Sequence, residues 1–336
     1  MATRDKGVPA GARTAAVVGS GALAEQGMVA AGEGSDGTLE PAARSQWQLF
    51  RRRFFRHKLA VAAGVVLLLL YLSVIFAPQL APYELNPPLD SATLADARQG
   101  PSGAHWFGTD QLGRDQLTRV LYAGRVSLLI GLSVALVSTL IGVTIGSIAG
   151  YRGGWPDQLL MRATDLFLVV PSLAVLMIAQ KGLAGDKILG FALSSQTLII
   201  LILSILFWQY IARVVRGVFL SLKEKEFVEA ARACGASTPR IIIRHMLPNA
   251  IGPIVVNTTL VVGIAILTES TLSFLGFGVQ PPDVSWGDML SKARDSVGTD
   301  TAYLIYFPGL FILLTVLAVN FLGDGLRDAF DPQSRR

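Results

Sequence analysis

The chain has 336 residues, of which 51% are hydrophobic and 16% are charged, and its mean hydropathy is +0.50. These values differ strongly from those of a soluble domain and indicate a membrane protein. The net charge of +5 comes without a basic patch interleaved with aromatic residues, which argues against nucleic acid as a partner.

The first 45 residues are rich in Ala, Gly and Ser, carry charges of both signs and show no long apolar periodicity. This composition is typical of segments that do not fold on their own. We therefore predict a disordered cytoplasmic tail over 1–45. No apolar segment of signal-peptide length follows Met1, so the first membrane helix is predicted to act as an uncleaved anchor.

Apolar stretches fill much of the remaining chain. A hydrocarbon core about 30 Å thick needs about 20 apolar residues per helix. Because backbone groups in lipid must be hydrogen-bonded within the protein, the stretches predict a helical bundle. The third stretch is interrupted by Asp165 and Pro171. The prediction is an all-α membrane protein with six transmembrane helices, at approximately 58–77, 126–150, 159–180, 195–215, 250–275 and 303–323.

Lysine and arginine are concentrated before the first stretch and in the loop after the fourth, and such clusters favour the cytoplasmic side. We therefore predict that both termini and the loop at about 216–249 are cytoplasmic, and that about 78–124 forms a long external loop. The basic residues are Arg51, Arg52, Arg53, Arg56 and Lys58 in the first cluster, and Arg213, Arg216, Lys223, Lys225, Arg232, Arg240 and Arg244 in the second.

The polar segment 226–249 predicts a helix, a tight turn and a second helix. Phe227 to Cys234 carries several alanines, which favour a helix and leave little side-chain bulk on its surface. Gly235 falls where a helix ends on a residue with positive φ, and Ser237 or Thr238 followed by Pro239 is typical of a helix start. Pro248-Asn249 is predicted to end the second helix.

The spacing Glu229-Ala230-Ala231, then Gly235, then Leu247-Pro248 resembles the "EAA" loop of ABC-importer permeases. His245 stands where many members have isoleucine, but the form from Arg244 to Asn249 is typical of the dipeptide, oligopeptide and nickel permeases.

Further segments resemble the same subfamily. They are Gly108-Thr109-Asp110 with Gly113-Arg114-Asp115, Gln280-Pro281-Pro282 with Trp286-Gly287, and Gly323 to Asp328 with Asp331-Pro332. The chain is thus identified as similar to the C-type permease subunits of peptide importers, with an ABC permease transmembrane domain over 46–332.

The resemblance implies that the loop is a coupling helix that fits a groove on a cytoplasmic ATPase, through Glu229, Ala230, Ala231, Gly235, Leu247 and Pro248. It also implies half of a translocation pathway shared with a second homologous permease, two cytoplasmic ABC ATPase subunits, and an extracytoplasmic substrate-binding protein. The location implied is the bacterial inner membrane, in contact with lipid. The chain lacks a phosphate-binding loop, so ATP and magnesium are expected on the partner ATPases, and no enzyme activity or cofactor is expected on this chain.

Within the predicted spans, Glu269 and Asn257 are candidate residues of the substrate path, because polar groups in a membrane are costly and often functional. Asp165 has a simpler interpretation as a local partner of Arg162. Gly142, Gly146 and Gly150 recur on one helix face and predict close helix packing, which we expect within the subunit. In the external loop, Trp106 and Phe107 are candidate contacts for the binding protein, although packing on the membrane surface explains them equally well.

No metal site and no catalytic residues are predicted, because the three histidines lie in different loops and Cys234 is the only cysteine. Three alternatives to a peptide importer remain open. A nickel-chelate importer shares the same motifs. A self-contained channel or secondary carrier has no use for the coupling loop, and a membrane scaffold does not explain the external motifs.

Overall fold

A computed structural model describes residues 46–88, 90–183, 187–188, 191–192 and 194–330. The predicted tail over 1–45 and the motif at Asp331-Pro332 lie outside the described residues. The described chain is mostly helical. Its elements are α1 (Gln46–Arg56), α2 (Lys58–Ile75), α3 (Ala77–Leu80), α4 (Ser91–Ala95), α5 (Gln116–Arg152), α6 (Gly154–Val169), α7 (Ser172–Leu183), β1 (Lys187–Ile188), β2 (Phe191–Ala192), α8 (Ser195–Leu222), α9 (Glu226–Ala233), α10 (Thr238–Arg240), a π-helical turn (Ile241–Met246), α11 (Leu247–Phe274), α12 (Trp286–Lys292), a 3₁₀ turn (Arg294–Ser296) and α13 (Tyr303–Phe330).

Five helices in the described ranges are long and apolar enough to cross a membrane, and a bent pair brings the number to six if it is one span. The pair is α6 and α7, which meet at an angle of 76°. Pro171 lies at the break, and Val170 before it has the extended backbone that a following proline favours. The predicted interruption of the third stretch is therefore present as a sharp break in the helix. A short antiparallel hairpin, β1 with β2, was not predicted.

Helix α5 begins earlier than the apolar stretch at 126–150 predicted. Asp115 caps it by accepting a hydrogen bond from the Thr118 N–H at 2.8 Å. The helix is about 55 Å long at 1.5 Å per residue, which exceeds the hydrocarbon thickness. The segment predicted as a loop over about 78–124 thus ends at Asp115, and its last part is the first two turns of α5.

Pro248 does not end the second helix of the 226–249 segment, contrary to the prediction. The chain stays helical from Thr238 to Phe274, because a π-helical turn precedes the proline. The Leu247 N–H bonds the Ile242 carbonyl, five residues back. Pro248 then lies in the first turn of α11, where its missing N–H is tolerated.

The glycine repeat of α5 packs against α8. A Cβ added at Gly142 would lie 2.6 Å from the Trp208 carbonyl oxygen, and one added at Gly146 would lie 2.5 Å from the Ala212 carbonyl oxygen. The backbones of α5 and α8 are therefore in direct contact. Gly150 is similarly close to Phe219. The expected packing within the subunit is confirmed.

The helix ends form two groups. At the end that carries α9, the start of α2 lies beside the end of α13, as His57 and Asp328 show with Nε2 and Oδ2 3.6 Å apart. We call this the α9 end. At the other end, the α12 end, Trp286 is fully buried against the start of α5 and its Nε1 donates to the Val120 carbonyl at 2.9 Å. Most of the core lies between these two ends, along α5, α8 and α11.

Candidate functional site

The segment from Glu226 to Asn249, called here the docking segment, begins with α9. Gly235 ends this helix with φ of +75°, as the sequence predicted. The Gly235 N–H bonds the Arg232 carbonyl and the Ala236 N–H bonds the Ala231 carbonyl, both at 3.0 Å. These two bonds define a Schellman motif, which reverses the chain in a fixed direction. The turn between α9 and α10 is therefore a defined structure with a specific need for glycine.

The inner side of the docking segment is anchored in the core. Val228, Ile241 and Met246 are all buried and belong to the same apolar cluster as the ends of α5 and α8. The Arg232 guanidinium lies over the Tyr151 ring at 6.0 Å, near the end of α5. A force applied to α9 would thus act on the membrane helices through apolar contacts and one cation–π contact.

The outer side of the docking segment is open. Of the residues assigned to coupling from the sequence, Glu229, Ala230, Gly235 and Pro248 are exposed, whereas Ala231 and Leu247 are half-buried. The Glu229 side chain forms no hydrogen bond or ion pair with any described residue. The alanines leave the backbone of α9 accessible, and Glu229 offers an unpaired carboxylate beside it.

Sequence reasoning missed two apolar residues of this surface. Phe227 and Ile243 have exposed fractions of 40% and 61%. Their signal is visible in hindsight, because both are large apolar residues inside an otherwise polar and basic stretch. Apolar residues within a polar surface are typical of a protein contact. Cys234, the only cysteine of the chain, is also exposed here as a free thiol.

Asn257 lines a cavity of about 460 Å³ between α11 and the last turn of α13. Its Nδ2 donates to the Pro253 carbonyl at 2.8 Å, within its own helix, rather than to a neighbouring helix. Gly252, Leu260 and Arg327 are among the other lining residues. The cavity lies at the α9 end, and it combines an amide and a guanidinium with apolar walls.

Glu269 lies farther along α11 and is fully buried. It is twelve residues from Asn257, or about 18 Å along the helix, and it lines neither this cavity nor the one described below. The structure therefore does not bring the two candidate path residues together.

The Glu269 carboxyl group accepts hydrogen bonds from serines on two helices. Ser273 Oγ donates at 2.6 Å and Ser127 Oγ, on α5, at 3.4 Å. Each serine in turn accepts a bond: Ser127 from the Trp286 N–H at 3.2 Å, and Ser273 from the Ser285 hydroxyl at 3.3 Å. The carboxyl group is thus the final acceptor of a network that fixes the start of α12 to α5 and α11.

Asp165 pairs with Arg213 of α8, with Oδ1 and Nη2 2.5 Å apart, rather than with Arg162. About two turns closer to the start of α6, Asp157 binds Arg216 through Nε at 2.5 Å and Nη2 at 2.7 Å. The α6 helix is therefore held against α8 by two ion pairs, the second of them bidentate.

The two aromatic candidates of the 78–124 segment have different environments. Trp106 is 71% exposed, whereas Phe107 stacks on Phe307 of α13 with ring centroids 3.8 Å apart. Only Trp106 is available to a partner. Within the described ranges, no group of three or more His, Cys, Asp or Glu side chains is arranged to hold a metal ion.

Residues 142–336 match the family described as binding-protein-dependent transport system inner membrane component, and residues 45–101 match the N-terminal TM domain of oligopeptide transport permease C. The chain belongs to this family of inner-membrane permeases. The resemblance drawn from Glu229-Ala230-Ala231 and its companion motifs is confirmed. This permease is a multi-pass inner-membrane protein.

Several curated permeases are similar to this one over most of their length. The glutathione transport system permease protein GsiD of Pectobacterium atrosepticum is 41% identical over 88% of this chain and 93% of its own. The oligopeptide transport system permease protein OppC of Mycobacterium tuberculosis is 42% identical over 87% and 96%. The dipeptide transport system permease protein DppC of Bacillus subtilis is 41% identical over 85% of each. A solved chain of the MetNI methionine ABC transporter has a TM-score of 0.47 and 21% identity over 61% of this chain and 94% of that one.

Proposed function

We propose that this permease is a subunit of an ATP-driven peptide importer. In this proposal it forms half of a translocation pathway with a second, homologous permease. Two cytoplasmic ABC ATPase subunits dock on the two permeases, and an extracytoplasmic binding protein delivers the substrate. The observation that carries the proposal is the docking segment, which is open on its outer side and anchored to the membrane helices on its inner side.

The coupling role is proposed for Glu229, Ala230, Ala231, Gly235, Leu247 and Pro248. A groove of an ATPase fits over the alanine surface of α9, and Glu229 accepts hydrogen bonds from basic or backbone donors of that groove. Phe227 and Ile243 add apolar contacts beside it. Because Val228 and Ile241 are buried beneath this surface, movement of α9 is transmitted to α5, α8 and α11.

The permease performs no covalent chemistry in this mechanism. ATP and magnesium bind to the partner subunits, whose closure moves the two docking segments together. The membrane helices then tilt as rigid bodies and change the side from which the pathway is open. ATP hydrolysis releases the contact and resets the cycle.

Asn257 is proposed to line the substrate path, because it faces a cavity with polar and apolar walls. Glu269 is proposed to act on the path indirectly, because its carboxyl group is fully buried among serines. Its contribution is to keep the start of α12 fixed while the α9 end moves. Peptide is the proposed substrate class, since the similar permeases are named for oligopeptide, dipeptide and glutathione transport.

The topology proposed has six spans, with α6 and α7 together forming the third, and both termini on the cytoplasmic side with the docking segment. Cys234 provides the test, because it is exposed and is the only thiol. A membrane-impermeant maleimide is expected to label Cys234 in inside-out vesicles stripped of peripheral subunits and not in right-side-out vesicles, with C234S as the unlabelled control. Labelling in right-side-out vesicles would show that the docking segment lies outside the cell, where it could not bind a cytoplasmic ATPase.

The function itself is tested by purifying the tagged permease from its native membrane and identifying stoichiometric companions. A second permease and ATPase subunits are expected, and their presence should protect Cys234 from the maleimide. The recovered complex is then reconstituted into proteoliposomes together with its binding protein. Peptide import is expected only when ATP is supplied on the side of the membrane that carries the ATPase subunits. A nickel chelate serves as the competing substrate. A solitary chain that transports without ATP would refute the importer.

A further inference from the structure

A second cavity, of about 280 Å³, lies at the α12 end, remote from the docking segment. It is enclosed by the turn before α5, by α12 and by the start of α13. Four charged residues line it, together with aliphatic side chains such as Leu112 and Leu304; the charged residues are Asp110, Arg114, Arg119 and Lys292. Three cations thus share a small space with one carboxylate.

Both oxygens of the single carboxylate, Asp110, already accept hydrogen bonds. Its Oδ1 accepts the backbone N–H groups of Leu112 at 2.8 Å and of Arg114 at 3.0 Å. Its Oδ2 accepts a hydrogen bond from Arg114 Nε at 2.8 Å and lies 2.7 Å from Arg114 Nη2 in the same ion pair. These three hydrogen bonds and the second ion-pair contact occupy most of the lone-pair directions that a carboxylate offers. Asp110 therefore has little acceptor capacity left for another cation.

Arg119 is the cation that is left with the weakest pairing. Its Nε lies 3.4 Å from Asp110 Oδ2, and Asp110 is the only acidic residue in contact with it in the described part of the chain. Lys292, by contrast, has its own partner in Asp288 at 2.7 Å. Arg119 is 4% exposed, and a buried charge is costly unless it is paired. A carboxylate that entered the cavity would complete the pairing of Arg119.

The size and position of the cavity favour one source for that carboxylate. Its volume is just below the range of about 300–1,000 Å³ that is common for ligand pockets, so it suits one side chain better than an extended peptide. It is also built from the turn before α5 and from α12, at the end that the proposed topology places outside the membrane. An aliphatic stem would pack on Leu112 and Leu304 while its carboxylate reached Arg119.

We propose that this cavity is a docking site for an aspartate or glutamate side chain of the extracytoplasmic binding protein. The inference rests on the proposed function, because it needs a binding protein that docks on the external face. It adds to that function a defined contact: Arg119 holds the incoming carboxylate, Arg114 keeps Asp110 occupied and adds its positive charge to the cavity, and the filling of the cavity is sensed at the start of α5.

The test measures docking of the purified binding protein on the assembled importer in lipid nanodiscs, by biolayer interferometry. R119Q and R114Q are each expected to weaken docking by about tenfold to a hundredfold, as for the loss of a hydrogen bond to a charged group. R98Q is the matched control, because Arg98 is an exposed cation of the same external segment outside the cavity. Docking to R98Q should remain close to that of the wild type.

A second kind of variant tests the site without replacing a buried arginine, whose loss could prevent folding. Gln111 lines the cavity and is exposed, so Q111E adds a tethered carboxylate without removing a buried group. It should compete with the incoming side chain and weaken docking by about tenfold. Neutralising each acidic residue on the binding protein in turn should identify one whose effect disappears in the R119Q background.

The outcomes separate the inference from the function on which it rests. If R119Q, R114Q and Q111E all dock as the wild type does, the docking site is refuted while the importer stands. In a second outcome, R119Q docks normally but imports free peptides more slowly, while its import of C-terminally amidated peptides is unchanged. The cavity then holds the carboxylate of the substrate instead of one from the binding protein. If R98Q weakens docking equally, general external charge is responsible. Failure of the wild-type importer to bind any binding protein would refute the proposed function itself.

Discussion

Replacement of Gly146 by alanine tests the direct backbone contact between α5 and α8. A Cβ at this position would lie 2.5 Å from the Ala212 carbonyl oxygen and 2.9 Å from Val215 Cβ. Ordinary contacts between carbon atoms are about 3.5–4.0 Å, and neither neighbour is the flexible end of a side chain. G146A therefore forces α5 and α8 apart by roughly 1 Å, since no rotamer change relieves the overlap.

The change in the free energy of unfolding caused by G146A is the sum of two opposing effects. Overpacking a well-packed contact costs about 1–3 kcal/mol. Replacing a helical glycine by alanine stabilises the helix itself by about 0.5–1 kcal/mol. G217A is the matched control, because Gly217 lies in α8 with no atom within 4 Å of its added Cβ, so it has only the second effect. The difference between the two variants isolates the packing cost, about 1–3 kcal/mol.

The assay is thermal unfolding of the purified permease in one detergent, followed by fluorescence-detected size-exclusion chromatography. For a chain of this size, 1 kcal/mol corresponds to a shift of about 2–4 °C or somewhat less. G146A is expected to unfold several degrees below G217A, and G217A at or above the wild type. If G146A and G217A unfold together, the backbone contact between α5 and α8 is not as close as described, and the reasoning fails.

Three further predictions concern other parts of the permease. G235V should impair ATP-driven uptake in proteoliposomes more than G235N, because a left-handed backbone costs about 1–2 kcal/mol for most residues and asparagine tolerates it. E269A should lower the unfolding temperature more than E269Q, since it leaves buried hydroxyls without an acceptor at about 1–3 kcal/mol each. D157N should lower that temperature more than D165N, because the Asp157 pair is bidentate and less exposed than the Asp165 pair.

Each of these has a clear contrary result. Wild-type uptake by G235V, with normal assembly, would show that the Schellman turn has no role in coupling. Equal stability of E269A and the wild type would mean that the serine network does not depend on the carboxyl group. An equal effect of D157N and D165N would show that bidentate geometry and burial do not distinguish the two ion pairs.

The sequence predicted the membrane class, the positions of the apolar stretches and the turn at Gly235, because each depends on local composition. Gly235 is a good example: the alanine-rich helix before it and the Ser-Thr-Pro start after it leave little choice of conformation. The repeated glycine face that includes Gly146 predicted close packing within the subunit, whereas its partner, α8, is known only from the structure.

The features that sequence reasoning missed depend on contacts between distant segments. The start of α5 at Gln116 is set by the Asp115 cap and by residues of α12 and α13 around it, which an apolar count does not detect. Pro248 predicts a helix end, but the π-helical turn just before it keeps the helix continuous. Glu269 reads as a polar group in a span, and only the structure shows that serines from α5 and α12 complete its surroundings.

Helix α5 connects the two surfaces that this permease offers to partners. Arg119 lies near its start, in the cavity at the α12 end, and Tyr151 lies near its other end, beneath Arg232 of α9. Between them, Gly146 joins α5 to α8 through backbone contacts, which allow less sliding than contacts between long side chains. We therefore expect α5 and α8 to move as one body when α9 is displaced. The π-helical turn before α11 is expected to deform, so that α11 moves less than α9 does. Loosening the α5 contact, as G146A does, should then reduce the peptide transported per ATP hydrolysed even in molecules that remain folded.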